Sequence, residues 1–98
     1  MCTQVLGYAE YKAAKAEATA FAVTGGSVVE ELDRSDGTPV WHAIVAVSLQ
    51  RGDERFRRLT ELATGPGCFA TVHGHSRHVL LMVHLRGEIT ERETQLPA

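Results

Sequence analysis

Hydrophobic positions recur with a helical period in two parts of the chain. Between residues 8 and 23 the apolar side chains fall three or four positions apart, which predicts an amphipathic helix. Gly25 follows this segment and is the residue expected at a left-handed helix stop. A second helical stripe begins after Asp53 and stops before Gly65. The pattern therefore predicts two short helices, each with one buried side.

Four further segments are rich in Val, Ile and other strand-forming residues. They cover residues 27–33, 38–49, 68–73 and 78–86. The pair Asp36-Gly37 predicts a two-residue hairpin turn between the first two strands. The order α-β-β-α-β-β predicts an α+β two-layer sandwich, ferredoxin-like in general character. In it, two helices pack on one face of a four-stranded antiparallel sheet.

The two halves of the chain are similar in sequence pattern. Residues 23–29 resemble residues 63–69, and residues 40–47 correspond to residues 78–85. This similarity suggests an internal αββ repeat, although capping glycines shared by any two such units explain it equally well. We expect a single domain over residues 1–89 and a flexible, polar tail over residues 90–98.

Both faces of the second and fourth strands are largely apolar, whereas a half-exposed strand should alternate apolar and polar residues. Two helices cover only one face of the sheet. We expect a second copy of the chain to cover the other face, so that Ile44, Phe69, Leu80 and Met82 lie in a homodimer contact. The alternative is an outer face left partly apolar in solvent.

Composition restricts the classes of partner. The chain has 98 residues, a formal net charge of −2 and a sequence pI near 6.2, which disfavour nucleic acids and anionic membranes. No apolar run approaches the ~20 residues that cross a bilayer, and no export signal is visible. Cys2 and Cys68 lack the spacing of a disulfide framework. We expect a cytoplasmic protein that binds neither nucleic acid nor membrane.

Histidines are concentrated near one hairpin tip. His73, His75 and His78 fall in and beside the turn at residues 74–77, and the predicted register places His73 opposite His78. Three imidazoles could hold zinc, nickel or copper in a site with an open position. The alternative is a solvated turn, because the spacing matches no zinc signature. Apart from such a metal, no cofactor is expected.

A second pair of polar residues lies in the first hairpin. Glu31 is predicted to lie opposite His42, as a carboxylate orienting a base in a ligand cleft or as an ordinary cross-strand ion pair. No nucleophile triad, phosphate-binding loop or carboxylate pair stands out. No residue is therefore assigned a catalytic role.

One segment resembles a known family. Residues 13–47, with the run from Gly25 to Asp33, the Asp36-Gly37 turn and Pro39-Val40-Trp41, resemble the opening of a PepSY-type domain. Such domains usually act outside the cytoplasm, whereas no export signal is visible here. The resemblance therefore implies no function for this chain.

Together these patterns predict a small, non-catalytic binding or regulatory protein that acts through protein–protein contacts as a homodimer. The alternatives are a transition-metal-binding protein that uses the His73, His75 and His78 tip, and a small dimeric enzyme or ligand binder with a cleft near Glu31 and His42. Metal uptake distinguishes the first alternative, and an apolar pocket beside His42 distinguishes the second.

Overall fold

The computed structural model describes residues 5–35 and 37–90. The elements are α1 (Tyr8–Phe21), β1 (Gly26–Asp33), β2 (Val40–Gln50), α2 (Glu54–Leu62), β3 (Cys68–His73) and β4 (His78–Gly87). Their order confirms the predicted α+β class. The predicted boundaries differ from these by at most two residues, which is the usual fraying at element ends.

The four strands form one antiparallel sheet in the order β1-β2-β4-β3. The two long strands are central, and alternate side chains of each face the helices and are fully buried. α1 and α2 pack on that same face, so one continuous apolar layer lies between helices and sheet. Its buried members are Tyr11, Ala18, Ala22, Ala43, Val45, Val47, Leu49, Leu59, Ala63, Val79, Leu81, Val83 and Leu85.

The two halves are arranged symmetrically in the sheet. β2 and β4 lie side by side, and Val45 pairs with Val83, the residue that the sequence comparison equates with it. An approximate twofold axis therefore passes between the central strands, with β1 and β3 as the two edges. Two similar αββ units produce this symmetry when their second strands, β2 and β4, pair with each other.

The two ends of the described chain meet. The N–H of Leu6 donates to the carbonyl of Arg86 (2.8 Å), and the N–H of Glu88 donates back to the carbonyl of Leu6 (2.9 Å). Starting from β4, the element order then reads β-α-β-β-α-β, which is the ferredoxin-like order. The element order is thus a circular permutation of the ferredoxin-like order. The Leu6–Gly87 bridge holds the segment before α1 beside the end of β4, where the unpermuted chain would be continuous.

Local signals define the helix ends. The Asp53 carboxylate accepts the N–H of Arg55 (2.8 Å) at the start of α2, as an N-cap aspartate does. Gly25 has φ of +72°, which confirms the predicted left-handed residue after α1.

The first hairpin has the predicted register but a longer turn. Glu31 pairs with His42 as expected, and the ladder ends at Asp33 and Val40. The N–H of Gly37 donates to the carbonyl of Arg34 (3.2 Å) within this longer connection. The prediction of a two-residue turn is therefore wrong. Asp36 lies outside the described residues. Gly37 has the predicted positive φ (+87°).

The second hairpin corrects a predicted pairing. His73 pairs with Leu80 and not with His78. β4 extends beyond the end of β3, and its first residue, His78, pairs with Gln50 of β2 instead. The tip opens because Gly74 takes a φ of +114° and the side chain of Ser76 donates to the carbonyl of His78 (2.8 Å).

Within the described residues, neither helix has the length and apolar character needed to cross a membrane. The predicted flexible tail falls almost wholly on residues 91–98, which lie outside the described part of the chain, and it stays a prediction.

Candidate binding surfaces

The sheet has one face without helices, which we call the open face. Every residue predicted for the homodimer contact lies on it: Ile44 on β2, Leu80 and Met82 on β4, and Phe69 on β3. Val29 of β1 extends this apolar group across the sheet. Val29, Phe69 and Leu80 are 51%, 47% and 38% exposed. Five apolar side chains on four neighbouring strands therefore form one patch.

Two histidines adjoin the patch: His84 lies between Ile44 and Phe69, and His42 lies next to them toward the charged end of the face. His42 Nε2 lies 3.3 Å from His84 Nδ1, and the ring of His84 stacks on Phe69 with 4.2 Å between ring centroids. Burial lowers the pKa of His84, and the neighbouring His42 and His73 lower it further. His84 is therefore held toward its neutral form, in which an imidazole packs as an aromatic ring.

One end of the open face is charged. Asp33 accepts an N–H bond from Ser35 (2.9 Å) and pairs with Arg86 (2.6 Å). The hydrogen bonds of Ser35 and then those of Arg86 lower the pKa of Asp33 to about 2. Glu31 lies beside His42 as predicted, and it is exposed. This polar end borders the apolar patch as a rim.

Two of the three histidines predicted to bind metal contact hydroxyl groups near the hairpin tip. His78 Nε2 lies 2.8 Å from Ser48 Oγ, and His73 Nε2 lies 3.2 Å from Thr71 Oγ1. His75 is exposed in the turn. In residues 5–35 and 37–90, no group of three or more His, Cys, Asp or Glu residues is placed to hold a metal ion. The three-histidine site stays a prediction from the sequence.

Cys68, the first residue of β3, packs against the core. Burial raises its pKa, so the unreactive thiol form is favoured at neutral pH. Cys68 thus behaves as a small apolar residue.

A groove lies on the opposite side of the sheet, between α1 and the strands β1 and β2. Its volume is about 610 Å³. The lining combines aromatic, small and charged side chains: Tyr8, Tyr11, Lys12, Lys15, Ala16, Thr19, Ala20, Val23, Glu30 and Trp41. The single tryptophan and both tyrosines of the chain are among them.

A polar network forms part of the groove wall. The hydroxyl of Tyr11 donates to Glu30 (2.6 Å), which also pairs with the ammonium of Lys15 (3.0 Å). Burial favours a higher pKa for Glu30, but the hydrogen bonds of Tyr11 and Lys15 outweigh it and hold the pKa below its usual value. Glu30 is therefore ionised, and Lys15 neutralises it.

The groove was not among the sites predicted from the sequence, which placed a ligand cleft beside Glu31 and His42. Glu31 and His42 lie on the open face, whereas the groove uses their neighbours Glu30 and Trp41. The alternation of side chains along a strand puts adjacent residues on opposite faces. The sequence contains one signal for the groove. The helical spacing of four residues places them on one side of α1: Tyr8, Lys12, Lys15 and Thr19.

Comparisons with protein-family models, with curated proteins and with solved structures found no match to this chain. The resemblance of residues 13–47 to a PepSY-type opening is therefore not supported by a family match.

Proposed function

We propose that this chain is a non-catalytic binding protein whose open face forms a protein–protein interface, and that the partner is a second copy of the chain. The observation that carries the proposal is the apolar patch of Val29, Ile44, Phe69, Leu80 and Met82. Helices bury one face of the sheet, whereas within the described residues nothing covers the other. Such patches on monomers are commonly contact surfaces.

The size of the open face supports an interface. With ~3.3 Å per residue along a strand and ~4.8 Å between strands, a sheet of these strand lengths presents a flat area of about 550 Å². Side chains add to that area, and a standard interface covers about 800 Å² on each partner. Two such sheets packed face to face therefore bury an area typical of a stable complex.

The arrangement of polar groups also supports an interface. The patch occupies the middle of the face, and the Asp33–Arg86 ion pair and Glu31 lie toward one end. An apolar centre with a polar rim is the usual anatomy of an interface. A second copy is the simplest partner, since most oligomers are symmetric homo-oligomers.

The test is the oligomeric state of Leu80→Lys. Leu80 is 38% exposed, so a lysine there reaches solvent in a monomer, whereas in the dimer it places an unpaired charge in the contact. We expect wild type to sediment as a dimer at micromolar concentration and Leu80→Lys as a folded monomer. Val23→Lys is the matched control, because Val23 is 82% exposed and lies off the open face. It should remain dimeric.

A wild type that stays monomeric at all concentrations contradicts the second copy as partner. Dissociation of Val23→Lys to the same extent as Leu80→Lys contradicts the open face as the contact.

A further inference from the structure

The groove beside α1 has an uneven distribution of charge around the helix. At about 100° per residue, Glu10 and Glu17 lie roughly 140–160° around the helix axis from Lys12. The carboxylates of α1 therefore point away from the groove, and its lysines point toward it. An anion in the groove meets no carboxylate from the helix.

One cation in the lining, Lys12, has no acidic partner among the described residues. Lys15 is paired with Glu30, whereas the ammonium of Lys12 lies 5.1 Å above the centre of the Tyr8 ring and makes no salt bridge within the described residues. In the part of the chain that the structure describes, the charged side chains that line the groove are Lys12, Lys15 and Glu30, which together carry a net charge of +1. This charge favours an anionic group near Lys12.

The remaining lining is mostly apolar. Trp41 contributes a large aromatic side chain to the lining, and Ala16 and Ala20 contribute small ones. A volume of about 610 Å³ falls within the ~300–1,000 Å³ range of small-molecule sites, which are mostly apolar with a few polar groups that orient the ligand. The groove has both features.

We propose that this groove binds a small amphipathic anion, with its apolar chain or ring against Trp41 and its carboxylate or similar group beside Lys12. The proposal does not depend on the dimer, because the groove and the open face lie on opposite sides of the sheet. Lys12 supplies the preference for charge, and the walls supply affinity for the apolar part.

Decanoate and decyltrimethylammonium test this proposal, because they have the same chain and opposite charge. Titration is followed by the fluorescence of Trp41, the single tryptophan, below the concentrations at which either probe forms micelles. We expect saturable binding of decanoate about three- to fivefold tighter than that of the cation, since one exposed ion pair contributes up to ~1 kcal/mol, a factor of about five.

Two variants at exposed positions of α1 locate the site. Lys12→Gln should weaken decanoate binding by about three- to fivefold and leave binding of the cation unweakened, because only the charge is lost. Ala16→Phe should weaken both probes, because its ring fills the groove. Arg58→Gln, which removes an exposed cation from α2, is the matched control and should bind decanoate as wild type does.

Equal affinity for the two probes, or decanoate binding unchanged in Ala16→Phe, overturns the proposal. The same titration on Leu80→Lys separates it from the proposed function: decanoate binding by that variant should equal wild type whether or not the dimer forms. Loss of binding in Leu80→Lys, with Ala16→Phe unaffected, assigns the probe to the open face and also overturns the groove.

Discussion

Gly87→Ala should be among the most damaging single-methyl changes in this chain. An added Cβ would lie 2.2–2.5 Å from three atoms of Tyr11, far inside van der Waals contact. Neither group has room to move. Tyr11 is 1% exposed and its hydroxyl is bound to Glu30, while Gly87 pairs with Trp41 on one side and bridges to Leu6 on the other.

The magnitude follows from these contacts. Overpacking of a buried site costs about 1–3 kcal/mol. If the ring moves instead, the Tyr11–Glu30 hydrogen bond is lost, at about 1.5–3 kcal/mol for a charged acceptor. The lower chain entropy of alanine in the unfolded state offsets about 0.4–1 kcal/mol. We therefore expect a net loss of about 2 kcal/mol, a large part of the ~5–15 kcal/mol that stabilises a domain.

Urea unfolding followed by Trp41 fluorescence and by circular dichroism measures this loss at one fixed protein concentration. Gly65→Ala is the matched control, because Gly65 does not have a positive φ and an added Cβ there meets no atom within 4 Å. It should change stability by no more than about 0.5 kcal/mol. If Gly87→Ala unfolds within 0.5 kcal/mol of this control, the close contact between Gly87 and Tyr11 is refuted.

Two further predictions concern a turn and a histidine. Gly37→Val should lower the free energy of unfolding by about 1–2 kcal/mol, since φ is +87° and the strain arises from the backbone alone. Gly37→Asn should lower it by less. Equal urea midpoints for wild type and Gly37→Val contradict this prediction. Because the folded pKa of His84 is lowered, the unfolded chain binds more protons, so stability should fall as pH drops through ~6.5 toward the folded pKa. His84→Phe should flatten the fall in urea midpoint between about pH 7 and 5 and His75→Ala should not; parallel pH profiles for wild type and His84→Phe refute this assignment.

Much of the local structure was readable from the sequence because it depends on near neighbours. Side-chain alternation correctly predicts that Ile44, Phe69, Leu80 and Met82 share the face of the sheet without helices. The register of β1 and β2 was also predicted, because the turn at Gly37 lies midway between the paired strands. The helix stop at Gly25 needs only the steric freedom of glycine.

The register of the second hairpin is not determined by its own residues. These residues are compatible with pairing His73 either to His78 or to Leu80. The two registers differ by two residues, so both leave every side chain on the same face of the sheet. In the structure β4 pairs with β2 along its whole length, down to His78 opposite Gln50, whereas β3 ends at His73 opposite Leu80. The pairing of His78 with a residue distant in sequence is a contact that the hairpin's own residues do not specify.

Contacts between distant segments decided the candidate sites. His42 meets His84 only because β2 and β4 are neighbours, an order that the faces alone do not specify. α1 packs mainly over the central strands, and the groove lies where its lysine-bearing side adjoins Trp41. Periodicity along the chain determined which residues are buried or exposed, whereas the packing of whole elements decided which exposed residues lie together.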